Sequence, residues 1–126
     1  LAKEFTVYFT TVSDLLYNLH IAKADNSYLK KLKQLINYDL LILDELGFKQ
    51  LPPYSTDDFF SIISKRYEHK STIITTNKEV DQWNDIFNEE VLTRAITDRI
   101  MHHATTFNIK GKSYRRKKIF NQEVKK

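Results

Sequence analysis

The sequence predicts an α/β fold built on a parallel sheet, and three observations carry that prediction. Strand-like and helix-like stretches alternate along the chain, the order that parallel strands joined by right-handed helical crossovers produce. Residues 40–43 (Leu-Leu-Ile-Leu) form a continuous apolar run without alternation, as a strand covered on both faces requires. That run leads straight into Asp44 and Glu45. Open α/β sheets bind their ligands at the carboxyl ends of their strands. A carboxylate pair there is expected to face a cleft and meet a cation or water, because burying it beneath the sheet is costly.

The elements follow in order. Residues 5–10 (Phe-Thr-Val-Tyr-Phe-Thr) are β-branched and aromatic and predict the first strand. Ser13 is placed to cap a helix in which Leu15, Leu16, Leu19 and Ala22 recur at helical spacing, until Asp25, Asn26 and Ser27 break it. A short amphipathic helix over residues 28–36 leads into the Asp44–Glu45 strand. Leu51, Pro52 and Pro53 force a loop, since proline lacks the amide donor and restricts the residue before it. Ser55 or Thr56 can then cap a helix whose inward stripe is Phe59, Phe60, Ile62, Ile63 and Tyr67. Residues 72–76 (Thr-Ile-Ile-Thr-Thr) predict a second β-branched strand ending at Asn77. Trp83, Ile86 and Phe87 mark a short helix. A longer one over residues 90–103 carries Val91, Leu92, Ala95, Ile96, Ile100 and Ala104 on its inner side. Residues 105–109 read as a last strand, followed by a tight turn at Lys110, Gly111 and Lys112.

At 126 residues the chain is at most one domain, large enough for a respectable core. Its 41% hydrophobic and 29% charged residues are ordinary for a soluble globular protein. No apolar run approaches the roughly 18 residues of a membrane span, and no signal-peptide pattern opens the chain. Cysteine is absent, which removes disulfides and thiolate metal sites and suits a cytoplasmic protein. The net charge of +4 is mild, but its distribution is uneven: Lys110, Lys112, Arg115, Arg116, Lys117 and Lys118 fall in nine residues without an acid among them. Such a basic tail, residues 110–126, suits a polyanion partner; a solvated tail is the rival reading. Tyr114 and Phe120 are interleaved with it, as in segments that track a nucleic-acid backbone.

Two strands end in polar tips, Asp44–Glu45 and Thr75–Thr76–Asn77, and a parallel arrangement brings both tips to one edge. The first has the look of a Walker B strand, where the aspartate holds Mg²⁺ and the glutamate orients the attacking water on a nucleoside triphosphate. A strand ending in a polar turn at Gly47 is the alternative. Asn77 can hydrogen-bond a water or phosphate oxygen beside such a metal, or serve as a turn residue; Thr76 is expected on the nucleotide side with Asp44. The adjacent His102 and His103 point about 100° apart on a helix and cannot easily share an ion. Trp83 can stack on a base or pack in the core, and packing is commoner.

Taken in order, these segments resemble a known family. The strand Leu-Leu-Ile-Leu-Asp-Glu-Leu-Gly-Phe over residues 40–48 is followed by Phe-Ser-Ile-Ile-Ser-Lys-Arg-Tyr-Glu over 60–68 and Ser-Thr-Ile-Ile-Thr-Thr-Asn over 71–77. Trp83, Ile86–Phe87 and Val91–Leu92 come next, then Ala-Ile-Thr-Asp-Arg-Ile-Met-His-His-Ala over 95–104 and Ile-Lys-Gly-Lys-Ser-Tyr-Arg over 109–115. From about residue 5 to residue 115 the chain resembles the IstB-like ATPases, transposition helpers of insertion sequences and AAA+ proteins related to the bacterial helicase loaders.

The resemblance implies a parallel-sheet P-loop NTPase core of AAA+ type, with residues 1–109 as the later part of the ATPase domain. It implies ATP and Mg²⁺ as cofactors, with Asp44 on the metal and Glu45 polarising the attacking water. Asn77 becomes the sensor-1 residue near the γ-phosphate. Arg99 becomes the arginine finger acting on ATP held by a neighbouring subunit, Arg94 being the weaker rival; a helix-surface ion pair or cap is the other reading of Arg99. The implied partners are DNA, a transposase (or a replicative helicase, for a loader) and further copies in an AAA+ oligomer, with no membrane.

The chain departs from the family pattern in one respect. Its two glycines are Gly47 and Gly111, and no Gly-x-x-x-x-Gly-Lys-Ser/Thr occurs. It opens on Leu1 rather than Met and reads as a domain truncated before its Walker A strand and loop. Without that cradle of backbone amides the fragment is expected to bind ATP weakly and not to hydrolyse it. A non-catalytic DNA-binding remnant is the further alternative.

Overall fold

The computed structural model describes residues 4–102, 104–107 and 109. Its three strands, β1 (Val7–Thr11), β2 (Leu40–Leu46) and β3 (Ser71–Thr76), form one parallel sheet in the order β1-β2-β3, with β2 in the middle. Between β1 and β2 lie α1 (Val12–Ala24) and α2 (Tyr28–Asn37); α3 (Ser55–Arg66) joins β2 to β3. After β3 come a 3₁₀ turn, α4 (Trp83–Phe87) and α5 (Glu90–His102).

Alternation along β2 divides the sheet into two unlike faces. Leu41 and Leu43 point to the side covered by helices and are fully buried with Leu15, Leu16 and Leu19 of α1, Leu32 and Leu35 of α2, and Phe59 and Ile62 of α3. Each such side chain contributes about 1.5–3 kcal/mol relative to exposure. α5 packs on α3, and α4 on α5. The opposite face carries Val7 and Phe9 of β1, Ile42 of β2 and Ile73 of β3 in register. It is open among the described residues: Phe9 is 60% exposed and Ile73 48%.

Two polar devices lock the helical layer, one joining its helices and one tying it to the sheet. The Asp58 carboxylate, buried on α3, accepts from Lys23 Nζ of α1 at 3.0 Å and from the Tyr28 hydroxyl of α2 at 2.6 Å. Burial first, and then this bond to Asp58, push the Tyr28 hydroxyl pKa above its ordinary value. At the other end of the helical layer, the guanidinium of Arg66 closes the C-terminus of α2 onto the start of β3. It donates to the carbonyls of Leu35, Ile36, Tyr38 and Ser71 and to the Thr72 hydroxyl.

Several local expectations change. Thr11 rather than Ser13 caps α1, because β1 runs into the helix without a loop and leaves Thr11 extended; its hydroxyl accepts from the Asp14 amide at 3.1 Å. Neither Ser55 nor Thr56 caps α3. Their buried hydroxyls donate to the Pro52 and Phe87 carbonyls, and the cap position is Tyr54 in the left-handed region at φ 64°. On α5 Ile96 is buried and Ile100 packs on the core as expected, but Val91 is 76% exposed, whereas Thr93 is buried and satisfies its hydroxyl on the Glu89 carbonyl. Residues 104–107 and 109 form no strand, and Ile109 is 94% exposed. Strand composition is a preference for a pleated, half-buried surface, and neither edge of the sheet takes this segment as a partner. The turn expected at 110–112 and the basic tail lie outside the described residues.

Candidate functional site

The carboxyl ends of β2 and β3 meet at an irregularity. Leu43 pairs with Ile74 and Leu46 with Thr76, so Asp44 and Glu45 together face the single residue Thr75. This is a β-bulge, a feature that bends a strand and re-aims its side chains, often beside active sites. Glu45 adopts φ 62°, left-handed backbone that a non-glycine residue enters only where its surroundings hold it. The holding group is Thr75. Its hydroxyl accepts from the Glu45 amide at 2.9 Å and donates to Oδ1 of Asp44. Asp44 is half-buried and Glu45 exposed. Thr75 was not singled out from the sequence; a strand's period of two carries no mark of an inserted residue on its neighbour.

The parallel sheet brings the two polar tips to one edge. Asn77, exposed just after β3, makes no side-chain hydrogen bond among the described residues, so its amide is free for a ligand. The Thr76 hydroxyl, by contrast, is engaged: it donates to the Leu46 carbonyl at 2.6 Å and accepts from the Lys78 amide at 3.1 Å. Gly47 follows at φ 89°, and a Cβ there would stand 2.9 Å from Ile86 Cδ1 and 3.1 Å from Lys78 Cγ. The positive φ favours glycine at this turn, and a side chain there would also have to displace those of Ile86 and Lys78. Beyond it a groove of about 590 Å³ runs between the β2–α3 loop and α4, with Lys49 and Lys78 among its lining residues.

Arg99 lies elsewhere, on the side of α5 that packs against α3. Its guanidinium carbon is 5.1 Å from the centre of the Phe60 ring, and Nη1 donates to the Ala95 carbonyl at 3.1 Å. Among the described residues it forms neither an ion pair nor a helix cap. Arg94 pairs with Glu90 across one exposed turn at 3.5 Å. Trp83 is in the core, which removes it from base stacking. The Tyr67 hydroxyl is hydrogen-bonded to His102 Nδ1, and His103 is outside the described residues. So are Lys110, Lys112, Arg115, Arg116, Lys117 and Lys118.

Among the described residues no three His, Cys, Asp or Glu side chains gather in one place. The donor set at the bulge is instead one half-buried carboxylate with one oxygen pinned, beside a second, exposed carboxylate. That set fits Mg²⁺, which keeps several waters and is usually held by one or two carboxylates together with substrate phosphates.

A parallel α/β sheet whose central strand ends in this carboxylate pair has the fold of the P-loop AAA+ proteins. The solved structure of the DnaC helicase loader matches with a TM-score of 0.67 at 30% identity, over 82% of this chain and 60% of that one. AMPPCP-bound DnaA from Aquifex aeolicus matches with a TM-score of 0.68 over 95% of this chain and 36% of that one; at 16% identity it speaks for the fold alone. The profile of the IstB-like ATP binding protein family matches residues 2–121, and the chain belongs to that family. A relative named for ATP binding and for insertion sequence IS232, from Bacillus thuringiensis subsp. berliner, is 43% identical over 121 residues, covering 96% of this chain and 48% of the relative. Another, named for insertion sequence IS5376 of Geobacillus stearothermophilus, is 39% identical over 127 residues, covering 100% and 51%. The chain spans about half the length of these curated relatives.

Proposed function

We propose that this chain forms the Walker B and sensor-1 side of an Mg²⁺-dependent ATP site in a helper of DNA transposition. The observation that carries the reading is that Asp44 and Glu45, on a bulge at the end of the central strand, share a sheet edge with Asn77 at the tip of its neighbour. In this reading Asp44 holds Mg²⁺, which when bound neutralises charge on the β- and γ-phosphates. Glu45 orients the attacking water, and Asn77 donates to the γ-phosphate or to that water. Arg99 acts on ATP held by a neighbouring copy in an oligomer, where a planar, permanently charged fork suits transition-state charge. DNA is the nucleic-acid partner, met by the basic residues 110–118, and the transposase of the same element is the protein partner.

The phosphate-cradling loop does not occur in these 126 residues, and the chain is half the length of its relatives. One sheet face is open among the described residues, and parallel sheets occur almost only with both faces covered. In this reading the cradle and the second layer belong to a longer protein. A helicase-loading role is the second reading, favoured by the 30% identity to DnaC.

The test is ATP binding with and without Mg²⁺, measured on the 126-residue chain and on the full-length protein, each beside Asp44→Asn. Mg²⁺-dependent binding by the longer form alone, weakened by Asp44→Asn, is the expected result. Binding by neither form overturns the ATP reading in favour of a non-catalytic DNA-binding module. Co-purification with the element's transposase, against a replicative helicase, separates the two partner readings.

A further inference from the structure

We infer that Thr75 is the positioning residue of this site, a single hydroxyl that sets both carboxylates for a metal-bound nucleotide. The inference rests on the ATP reading and deepens it. A threonine hydroxyl has one proton and two lone pairs, and an ionised carboxylate only accepts. The Glu45 amide donates into Thr75 Oγ1 at 2.9 Å, so the hydroxyl's own proton goes to Asp44 Oδ1. The direction of the relay is thereby fixed. One oxygen of Asp44 is pinned, and the other takes no hydrogen bond among the described residues, which leaves it open to a cation's water shell.

The same hydroxyl answers a need that the bulge creates. The extra residue on β2 has no ladder acceptor opposite it on β3, and Thr75 replaces that acceptor with its side chain. Glu45 is held in left-handed backbone as a result, and the two adjacent carboxylates escape the strict up-and-down alternation of a strand. The role is distinct from that of Thr76, whose hydroxyl is spent on the Leu46 carbonyl and the Lys78 amide.

Thr75→Val keeps the shape and removes both hydrogen bonds; Thr75→Ser keeps both bonds and removes a methyl group. In the full-length protein three quantities are measured: ATP affinity without metal, the Mg²⁺ concentration at half-maximal ATP binding, and hydrogen exchange at the Glu45 amide. Thr75→Val is expected to raise the Mg²⁺ requirement by about 10–100-fold, the usual effect of removing a group that orients a metal ligand. It is also expected to speed exchange at Glu45 and to leave metal-free ATP affinity unchanged, while Thr75→Ser stays close to wild type. Faster Glu45 exchange or a lower melting temperature with an unaltered Mg²⁺ requirement overturns the inference, because the hydroxyl then only mends the bulge. An unaltered Mg²⁺ requirement and unaltered exchange overturn it too. Wild-type protein that shows no Mg²⁺-dependent ATP binding overturns the ATP reading and this inference with it, and that failure is visible before any substitution.

Discussion

Replacing Arg66 tests whether one buried guanidinium holds the helical layer to the sheet. Arg66 is 1% exposed and makes five hydrogen bonds, four of them to backbone carbonyls. Leu35 and Ile36 lie in the last turn of α2, whose carbonyls have no intrahelical partner, and α2 has no basic residue of its own there. Burial pushes the Arg66 pKa below the ordinary guanidinium value and nearby Asp39 opposes the shift. Two effects compete in Arg66→Met. Methionine regains about 1.5–3 kcal/mol of apolar burial and removes the desolvation cost of a charge. Four carbonyls then lose their donor, and orphaned buried groups cost about 1–3 kcal/mol each.

Where a buried ion pair is replaced whole by apolar residues the change is often neutral, because both partners leave together. Here the partners are backbone and remain, so the carbonyls decide the sign. The expected loss is about 3–5 kcal/mol, the range for breaking one side of a buried charged contact. At a urea m-value of about 2 kcal/mol/M that is a midpoint lowered by roughly 2 M, read by circular dichroism. Arg66→Lys, with a point charge in place of a fork, recovers only part of it. A loss below about 1 kcal/mol for Arg66→Met refutes the reasoning, since water or relaxation would then be satisfying the carbonyls.

Asp39 gives a pH prediction. The Thr6 amide, donating at 2.8 Å, and then Lys70 hold its pKa at about 2 against an ordinary 3.8. A depressed carboxylate pKa means stability fully present above pH 3.8 and lost as pH falls through about 2, so Asp39→Asn flattens that acid limb of the urea midpoint and leaves its dependence above pH 5 unchanged. Gly47→Ala meets both the positive φ and the Ile86 and Lys78 side chains, and is expected to cost about 1–3 kcal/mol, read as a lower melting temperature. Charge reversal at Lys110, Lys112, Arg115 and Arg116 is expected to weaken DNA binding and shallow its salt slope; unchanged affinity and slope would remove the tail from the DNA interface.

How far the sequence reveals the fold varies by element, for physical reasons. α2 is legible nearly to the residue because its apolar positions recur at one helical period. β2 is legible because its apolar run ends abruptly in charge, and the parallel sheet then brings Asn77 to the same edge. Thr75 and Arg66 are illegible for a shared reason: each acts through backbone groups distant in sequence, and no side-chain pattern records where a carbonyl or amide lacks a partner. Arginine composition argues for exposure, and only the meeting of α2, α3 and β3 buries this one. α5 shows a third kind of miss. Its apolar residues place Ile96 and Ile100 on the inner side correctly, but packing leaves Val91 exposed and buries Thr93, and Arg99 covers Phe60.

The position of Arg99 bears on how the site would be completed. An arginine finger works by reaching phosphates on another copy, yet here the guanidinium lies on Phe60 and bonds to its own helix. Neither contact is a committed ion pair. A cation on an aromatic face is worth about 0.5–2 kcal/mol, and a bidentate contact with phosphate is the stronger, charge-assisted alternative. On the proposed reading, a contact with phosphate replaces the Phe60 contact at small cost. Asp44 and Glu45 stand at the strand tips, whereas Arg99 lies against Phe60 where α5 packs on α3. On the proposed reading one copy presents its carboxylates while another presents its arginine to a single nucleotide, and assembly would then be a condition of the chemistry.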